Sequence, residues 1–223
     1  MRYNATVLFS PNEFSIRAGA YNLDKENKYE QRRQVKQFFL PALIPPKEYA
    51  LYKDIAILVL LNPVKFLTKE VQPICLPESE KDKPTLGENC ITAGWGSMNI
   101  NKTTLRTPNR PRDVMIPIMK CPDATMNEEF ICAGSYPNGT KDSCEGDSGG
   151  PLQCQLNHLG RWTLSGIVSA GVGVEHPFPN SSCGAGGMYT RVALNLKWIW
   201  DTICTHSVFR SQAKQCEKMN DIK

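Results

Sequence analysis

A serine set between glycines is the residue of this chain whose surroundings most favour covalent chemistry. Residues 144–152 read Cys-Glu-Gly-Asp-Ser-Gly-Gly-Pro-Leu, with Ser148 at the centre. Glycine permits the sharp turn that lets a substrate carbonyl approach a hydroxyl. The N–H groups of Gly146 and Ser148 could then donate to a developing oxyanion, where each donor contributes roughly 3 kcal/mol in the transition state. The segment predicts a nucleophilic serine, and the alternative is a glycine-rich turn that merely contains one.

Nine cysteines and four glycosylation sequons are typical of proteins from an oxidising compartment. The cysteines are spread along the chain without metal-type CxxC pairs, which favours a disulfide framework over a metal site. Sequons occur at Asn4, Asn101, Asn138 and Asn180. No stretch approaches the roughly 20 apolar residues of a membrane span. We therefore expect a secreted glycoprotein with no metal, other cofactor or membrane partner, although residues 1–20 show no signal peptide.

The spacing of apolar residues is that of short strands. Only residues 193–204 carry apolar side chains at helical spacing. Elsewhere, alternating or apolar runs are separated by segments rich in Pro, Gly and Asn. These runs begin at Phe14, Gln34, Asp54, Cys90, Asp113 and Trp162. Short strands with turn signals and one terminal helix predict an all-β protein built on β-barrels.

Length and charge limit the domain organisation and the classes of partner. A chain of 223 residues that is 41% hydrophobic can bury a sizeable core in one two-part domain or two small ones. The polar stretch 78–88 predicts a first barrel over residues 1–86, a second barrel with the helix over 87–204, and a tail over 205–223. The net charge is +4 and the basic residues are scattered, which argues against a nucleic-acid partner. Two local basic groups are expected to be solvated faces, with an anionic exosite as the alternative.

Several motifs stand in the order and spacing of one known family. The Ser148 turn is accompanied by Asp54-Ile-Ala-Ile-Leu, Val71-Gln-Pro-Ile-Cys-Leu-Pro, Cys90-Ile-Thr-Ala-Gly-Trp-Gly, Phe130-Ile-Cys-Ala-Gly and Met188-Tyr-Thr-Arg-Val. From about residue 14 to residue 204, the sequence resembles a trypsin-like (chymotrypsin-fold) serine protease. The resemblance implies a chymotrypsin-like double β-barrel with a C-terminal helix, and its first barrel is expected to be incomplete here.

The resemblance also implies catalytic roles for two side chains. Ser148 would be the nucleophile, and its N–H and that of Gly146 would form the oxyanion hole. Asp54 would orient a histidine and stabilise its cation. The apolar run directly after Asp54 favours an enclosed position, and the alternative is a solvent-facing aspartate before a buried strand.

A specificity pocket for basic side chains is implied by the same resemblance. Asp142, six residues before Ser148, would form the pocket floor and bind a substrate Arg or Lys by a charge-assisted hydrogen bond. Gly171 and Gly187 would leave room for the long side chain, and the segment that starts at Ser169 would pair with substrate backbone. Ala170 replaces a tryptophan usual in the family, so we expect more room for the next substrate side chain. The alternative is that Asp142 is a surface loop residue beside a disulfide.

The cysteines match the family framework as well. The implied bridges are Cys90–Cys154, Cys121–Cys132 and Cys144–Cys183, and Cys204 and Cys216 are expected to pair with each other in the tail. Bridges of such loop lengths contribute roughly 3–4 kcal/mol each. Cys75 is left over. In many modular relatives this position ties the protease domain to an N-terminal regulatory segment, and an unpaired thiol is the alternative.

The sequence has no histidine at the position of the family's general base. His158, His176 and His206 all follow Ser148, whereas the family order is His, Asp, Ser, so each is expected at the surface. Also absent is the Ile-Val-Gly-Gly-type start, whose α-amino group pairs with the aspartate that matches Asp147. We therefore expect that an N-terminal portion is missing, with the histidine and several strands of the first barrel, and that the first barrel is poorly stable.

Together the patterns predict a trypsin-like endopeptidase domain that cleaves protein or peptide substrates after Arg or Lys by acyl transfer. Removing the triad histidine costs about 10⁶ in kcat in a well-studied serine protease, so this chain alone should be almost inactive. A non-catalytic protease-like binding or regulatory module is the alternative, and a chain that never folds is a lesser one. Ala20 stands where calcium-binding relatives carry glutamate, so no calcium site is expected in the loop that follows it.

Overall fold

The computed structural model describes seven stretches of the chain, residues 10–41, 53–66, 68–98, 107–135, 141–156, 160–172 and 183–205. The chain divides into two compact units. The sheet unit is Met1–Leu40 with Ala56–Pro73, and the barrel unit is Pro41–Ile55 with Ile74–Lys223. The structure thus assigns residues 74–86 to the second unit, whereas the sequence placed them in the first.

Three antiparallel strands form the sheet unit. They are β1 (Ser15–Ala18), β2 (Gln31–Phe39) and β3 (Ile57–Leu60), in the order β1-β2-β3. The long central strand β2 pairs with both neighbours, and its register against β3 shifts between Val35 and Gln37. Val35 is fully buried. Arg17 of β1 anchors the β1–β2 connection, because its Nη2 donates to the Glu30 carboxylate at 2.8 Å.

Six strands close into a barrel in the other unit. They are β4 (Asn89–Gly94), β5 (Arg112–Met119), β6 (Phe130–Ala133), β7 (Pro151–Leu156), β8 (Arg161–Gly171) and β9 (Gly187–Arg191). Their order is β4-β5-β6-β9-β8-β7, and β7 pairs with β4 to complete the circle. Closure gives every strand two hydrogen-bonded neighbours and removes the exposed edges of an open sheet.

The inward face of the barrel is a continuous apolar core. Alternate residues of each strand point inward, as the two-residue period of a strand requires. The core consists of Cys90, Ile116, Ile118, Ile131, Ala133, Leu152, Cys154, Leu156, Val168 and Tyr189. Each fully buried aliphatic side chain contributes on the order of 1.5–3 kcal/mol. This core therefore gives the loops at the barrel ends a rigid base.

The predicted strands and helix are present, with shifted ends. The helix α1 spans Leu196–Thr205 and follows a 3₁₀ turn, Val192–Asn195, so the first three residues of the helix predicted over 193–204 belong to that turn. The side-chain amide of Asn195 contributes to the late start of the helix, because its Nδ2 donates to the Arg191 carbonyl at 3.0 Å. Strand β7 was not among the predicted runs. Its first residue is proline, which strands tolerate at that position.

A buried guanidinium ties separate parts of the barrel unit together. Arg191, at the end of β9, is 6% exposed. Its Nη1 donates to the Glu128 carbonyl at 3.1 Å, and its Nη2 donates to the Glu80 carbonyl at 2.6 Å. Burial lowers the pKa of the Arg191 guanidinium. Both carbonyls lie in irregular segments, so this one side chain fixes the chain before β4 and the turn before β6 against β9.

Three disulfides lie in the barrel unit. They join Cys90 to Cys154, Cys121 to Cys132, and Cys144 to Cys183, which are the three pairs expected from the sequence. Cys75 is a free, exposed thiol. Cys204 is disulfide-bonded, and Cys216, its expected partner, lies outside the described residues.

Candidate active site

The Ser148 turn is held by backbone hydrogen bonds between its own residues. The Asp147 N–H donates to the Cys144 carbonyl at 2.9 Å, and the Gly150 N–H donates to the Asp147 carbonyl at 2.8 Å. The Gly149 N–H donates to Val168 of β8 at 2.9 Å, which fastens the turn to the barrel. Ser148 is exposed at the tip of this turn. The hydroxyl is thus presented to solvent from a fixed backbone.

Glycines on both sides of Ser148 provide the backbone angles that the turn requires. Gly146 has φ +95° and Gly149 has φ +79°, a region that other residues rarely adopt. Within the described residues, the N–H groups of Gly146 and Ser148 donate to no acceptor, and the Ser148 hydroxyl has no hydrogen-bond partner. Unpaired amide donors beside an exposed hydroxyl can bind a ligand oxygen that carries negative charge.

A cavity of about 150 Å³ opens beside this turn. The structure brings together there five of the residues singled out in the sequence, Asp142, Ser148, Ser169, Gly171 and Gly187. The Cys144–Cys183 disulfide and Ala170 also line it. At Gly171 an added Cβ would meet nothing within 4 Å, so the wall on that side is open.

Asp142 is the half-buried carboxylate of this cavity. Its Oδ2 accepts the Gly184 N–H at 3.2 Å and the Gly186 N–H at 3.1 Å. Burial raises the pKa of the Asp142 carboxyl, and the two amide donors oppose that shift. A Cβ on Gly187 would lie 3.1 Å from Asp142 Oδ1, so a larger residue there would crowd the carboxylate. A half-buried carboxylate of this kind is a group that can accept a charge-assisted hydrogen bond from a cation.

Two hydroxyls beside Asp142 were missed from the sequence. The Ser143 Oγ lies 3.5 Å from Asp142 Oδ1 and 3.3 Å from the Tyr189 hydroxyl. Tyr189 is fully buried, and burial raises the pKa of its phenol. These neutral hydroxyls add hydrogen-bonding capacity next to the carboxylate. Ser143 adjoins Asp142 in the chain and was within reach of sequence reasoning, whereas Tyr189 comes from β9 and was not.

Asp54 contacts the cavity through one of its wall residues. The Ser169 Oγ donates to Asp54 Oδ2 at 2.7 Å. The sequence placed Asp54 in an enclosed position, and this expectation is wrong for the described residues, because Asp54 is exposed. Ile55, in the apolar run after it, is buried, but Asp54 lies before strand β3 and the described residues leave its side chain uncovered. Asp54 is thus a solvent-accessible carboxylate beside the cavity, held by Ser169.

A second cavity of about 300 Å³ lies around Asp147. The Asp147 Oδ1 accepts the Gly96 N–H at 2.8 Å, and its Oδ2 accepts the Cys144 N–H at 2.9 Å. A Cβ on Gly94 or on Gly96 would overlap the Asp147 carboxylate. The two glycines of the Gly-Trp-Gly motif therefore leave the space that the Asp147 carboxylate occupies. The sequence analysis did not assign this role to them.

The two cavities share several of their lining residues. Asp142, Cys144 and Cys183 belong to both. Lys141 and Arg112 also line the larger cavity. In the described residues, no group of three or more His, Cys, Asp or Glu side chains could hold a metal ion. None of the helices in those residues is both long and apolar enough to cross a membrane.

Other predicted site residues lie outside the described residues. These are the histidines His158, His176 and His206 and the sequon asparagines Asn4, Asn101, Asn138 and Asn180. The surface positions expected for the histidines and the glycosylation of the asparagines stay predictions.

The geometry and the comparisons with known proteins agree on one class of protein. An exposed serine with free amide donors, beside a carboxylate-ended cavity on a closed six-stranded barrel, is the arrangement of a serine protease domain. The Trypsin family model matches residues 4–199. This range is most of the chain, and the chain therefore belongs to the trypsin family.

Individual relatives support the family and the fold. Transmembrane protease serine 9 of Rattus norvegicus is 36% identical over 159 residues, which are 70% of this chain. Those residues are 14% of that protein's length. Neuropsin, a serine protease expressed in the limbic system of mouse brain, superposes with a TM-score of 0.64 at 28% identity. The match covers 85% of this chain and 78% of neuropsin, which confirms the chymotrypsin-like fold class.

Proposed function

We propose that this domain binds polypeptides through an Arg or Lys side chain and cleaves after it by acyl transfer to Ser148. One observation carries the proposal: Ser148 and Asp142 line the same cavity, with a nucleophile at its mouth and a half-buried anion inside. The amides of Gly146 and Ser148 would stabilise the oxyanion formed when Ser148 attacks the carbonyl. Asp54 would act on a histidine base, and Ser169 would hold Asp54 in place.

We further propose that the chain on its own is a very poor catalyst. Ser148 Oγ has no hydrogen-bond partner within the described residues, and no histidine precedes it in the sequence. A serine hydroxyl without a general base is a weak nucleophile at neutral pH. The reaction should therefore stop at ligand binding, or at slow acylation by highly reactive esters.

Acylation by a cationic active ester tests this function directly. We expect 4-nitrophenyl 4-guanidinobenzoate to acylate Ser148 slowly, and added imidazole to accelerate the reaction by supplying the missing base in solution. Intact-mass analysis would show one acyl group, and peptide mass analysis would locate it. Ser148→Ala should remove the adduct, and the neutral 4-nitrophenyl benzoate should react far more slowly. Equal acylation by both esters, or an adduct retained in Ser148→Ala, would contradict the proposal.

A non-catalytic binding module is the second candidate. It is favoured by the same free hydroxyl and by the position of all three histidines after Ser148 in the sequence. This candidate predicts that the cavity binds cationic side chains reversibly while Ser148 stays unmodified. Imidazole would then have no effect on acylation.

We propose that the domain works outside the cytoplasm and is linked to a regulatory segment through Cys75. Three disulfides and an exposed free thiol support this setting. The Cys75 carbonyl accepts the Leu164 N–H at 2.9 Å, so the backbone beside the thiol is fixed to β8. Non-reducing mass analysis of the native protein should reveal a peptide on Cys75. A native protein with an unmodified Cys75 thiol would contradict the link.

A further inference from the structure

One disulfide differs from the other two in its position and its exposure. Cys90, Cys154, Cys121 and Cys132 are at most 5% exposed, so both of their bridges lie in the core. Cys144 and Cys183 are only half-buried, and their bridge lines both cavities. Thiol–disulfide exchange requires that a thiolate reach a sulfur atom. Of the three bridges whose two cysteines are both described, the Cys144–Cys183 bridge is the one most open to such attack.

The same bridge joins the backbone groups that hold both buried carboxylates. Cys144 N–H donates to Asp147 Oδ2 at 2.9 Å. Next to Cys183, the Gly184 N–H donates to Asp142 Oδ2 at 3.2 Å, and the Gly186 N–H follows at 3.1 Å. The bridge thus connects the Ser148 turn to the segment that shapes the Asp142 end of the cavity.

The segment next to the bridge is rich in glycine. Residues 183–187 read Cys-Gly-Ala-Gly-Gly, and Gly184 and Gly186 have φ +109° and +135°. Glycine loses more conformational freedom on folding than any other residue, so ordering this segment has a high entropic cost. Residues 184–187 are buried, and the Val172 N–H donates to the Gly186 carbonyl at 3.0 Å. The order of the segment therefore depends on the covalent link at Cys183 together with this bond, the amide bonds to Asp142 and strand β9.

We propose that the Cys144–Cys183 disulfide is a redox switch of the Asp142 cavity, which a dithiol of the thioredoxin class opens by reduction. Opening releases residues 183–186, withdraws their amides from Asp142 and removes the cavity's affinity for cationic side chains. The closed barrel and its two core disulfides keep the rest of the unit folded.

The chemistry is a balanced two-electron exchange. One thiolate of the dithiol attacks a sulfur of the bridge, forms a mixed disulfide and displaces the other cysteine as a thiolate. The second thiol of the dithiol then attacks the mixed disulfide and displaces the remaining cysteine. The dithiol leaves as its own disulfide, and Cys144 and Cys183 end as two thiols after taking up two protons. Reoxidation by a disulfide of the same class reverses the steps.

The test follows reduction and ligand binding in the same samples, because the inference rests on the proposed cation-binding cavity. Cys75 is first blocked with iodoacetamide, and the full chain is equilibrated with graded ratios of reduced to oxidised dithiothreitol. New thiols are alkylated with a heavier reagent and assigned by peptide mass analysis. The dissociation constant for 4-aminobenzamidine is measured by fluorescence at each ratio. We expect Cys144 and Cys183 to be alkylated before any other pair, and the affinity to fall at least about tenfold over the same ratios.

Two variants and a melting curve complete the design. Cys144→Ser with Cys183→Ser should show the low affinity without any dependence on dithiothreitol. The matched control, Cys121→Ser with Cys132→Ser, should keep both the affinity and its dependence on dithiothreitol. A variant that does not melt cooperatively is set aside, and the wild-type titration then decides alone. Alkylation of Cys144 together with the core cysteines, or full affinity after its selective reduction, would overturn the switch. Absence of binding by the fully oxidised chain would overturn the cation cavity itself, and the switch with it.

Discussion

The two units of this chain bury their apolar residues very differently. Within the described residues, Val35 and Val71 are the only buried hydrophobic residues of the sheet unit, and the others belong to the barrel unit. Conversely, the described part of the sheet unit exposes eight large hydrophobic side chains, and that of the barrel unit exposes four. The eight are Phe14, Tyr21, Leu23, Tyr29, Leu40, Leu58, Leu61 and Phe66. Closure of the barrel is the structural reason for the contrast, because it pairs every strand on both sides.

This contrast explains where the chemistry is placed. The Ser148 turn, both cavities and all three disulfides lie in the barrel unit. Asp54 also belongs to it, although the neighbouring strand β3 does not. In the described residues, β1 and β3 each pair only with β2. The described residues of the candidate site therefore belong to the unit that carries the apolar core.

The largest expected difference between the units is in amide hydrogen exchange. Amides of β4 and β9 should exchange at least about 1,000-fold more slowly than those of β1 and β3, because core strands open only with the whole unit. The measurement is exchange followed by mass spectrometry or NMR on the full chain. Similar protection of the amides in the two sets of strands would show that the two units do not differ in stability.

A second prediction concerns Arg191 and the stability of the barrel unit. Arg191→Met should cost about 2–5 kcal/mol, because two backbone carbonyls lose their donor and each acceptor left unsatisfied costs roughly 1–3 kcal/mol. The matched variant Arg161→Met removes an exposed ion pair with Glu78 and should cost at most about 1 kcal/mol. All four tryptophans lie in the barrel unit, so urea unfolding followed by tryptophan fluorescence reports on this unit. Equal losses in the two variants would show that Arg191 is not an anchor.

The third prediction tests the charge in the smaller cavity. Asp142→Asn should weaken 4-aminobenzamidine binding by about 100-fold, since a charge-assisted hydrogen bond is worth about 1.5–3 kcal/mol. Binding of the neutral 4-aminobenzamide should change little. The variant should unfold at no lower urea concentration than the wild type, because ionised Asp142 is itself disfavoured by burial. Unchanged amidine affinity would exclude Asp142 as the recognition group.

The fourth prediction compares two glycines of the barrel unit. Gly96→Ala should cost about 1–3 kcal/mol, because its Cβ would overlap the Asp147 carboxylate and displace it. Gly171→Ala should be nearly neutral for stability, because nothing lies within 4 Å of the added Cβ and its φ is not positive. Both are read from urea unfolding by tryptophan fluorescence. Equal stability of the two variants would show that Asp147 can move without cost.

The smallest effect is the pH dependence of ligand binding. The pKa of the Asp142 carboxyl is raised in the folded chain, so this group adds stability at low pH that is lost as pH rises through that pKa. A cation binds the ionised form, so affinity moves the opposite way and falls on acidification, approaching tenfold per pH unit below the pKa. Amidine titrations between about pH 4 and 8 should show this fall in the wild type. A fall of the same size in Asp142→Asn would assign it to another group.

Much of the fold was predictable because strands and turns leave local marks in the sequence. Alternation and turn residues predicted β1, β2, β4, β5 and β8 close to their observed positions. Strand β7 was not predicted because Gln153 and Gln155 interrupt its apolar pattern, and one of its two pairing partners, β4, lies about 60 residues away in the chain. The unit boundary also differed, since contacts made by residues 74–86 depend on the closed barrel and not on local polarity.

The candidate site was predictable where its residues are neighbours in the chain. Ser148, Gly146 and Asp142 lie within seven residues. The glycines around Ser148 indicated a turn, and the family resemblance implied the role of Asp142. Groups that meet only after folding were missed or misjudged. The exposure of Asp54 depends on which residues surround it in the folded chain. The burial of Arg191 could not be predicted either, because its neighbours in the sequence do not distinguish it from a surface arginine. Gly94 and Gly96, which leave room for the Asp147 carboxylate, lie about 50 residues away from it in the chain, so their steric role is visible only in the folded structure.

The fit of Gly94 and Gly96 against Asp147 links three positions that must vary together. Any side chain at either glycine occupies the space of the carboxylate, and a shorter residue at position 147 would vacate it. Loss of Asp147 should therefore make larger residues acceptable at positions 94 and 96, which a library varying all three would reveal as mutual compensation. The two glycines and the acid therefore form one steric unit, in which the residue tolerated at each position depends on the other two.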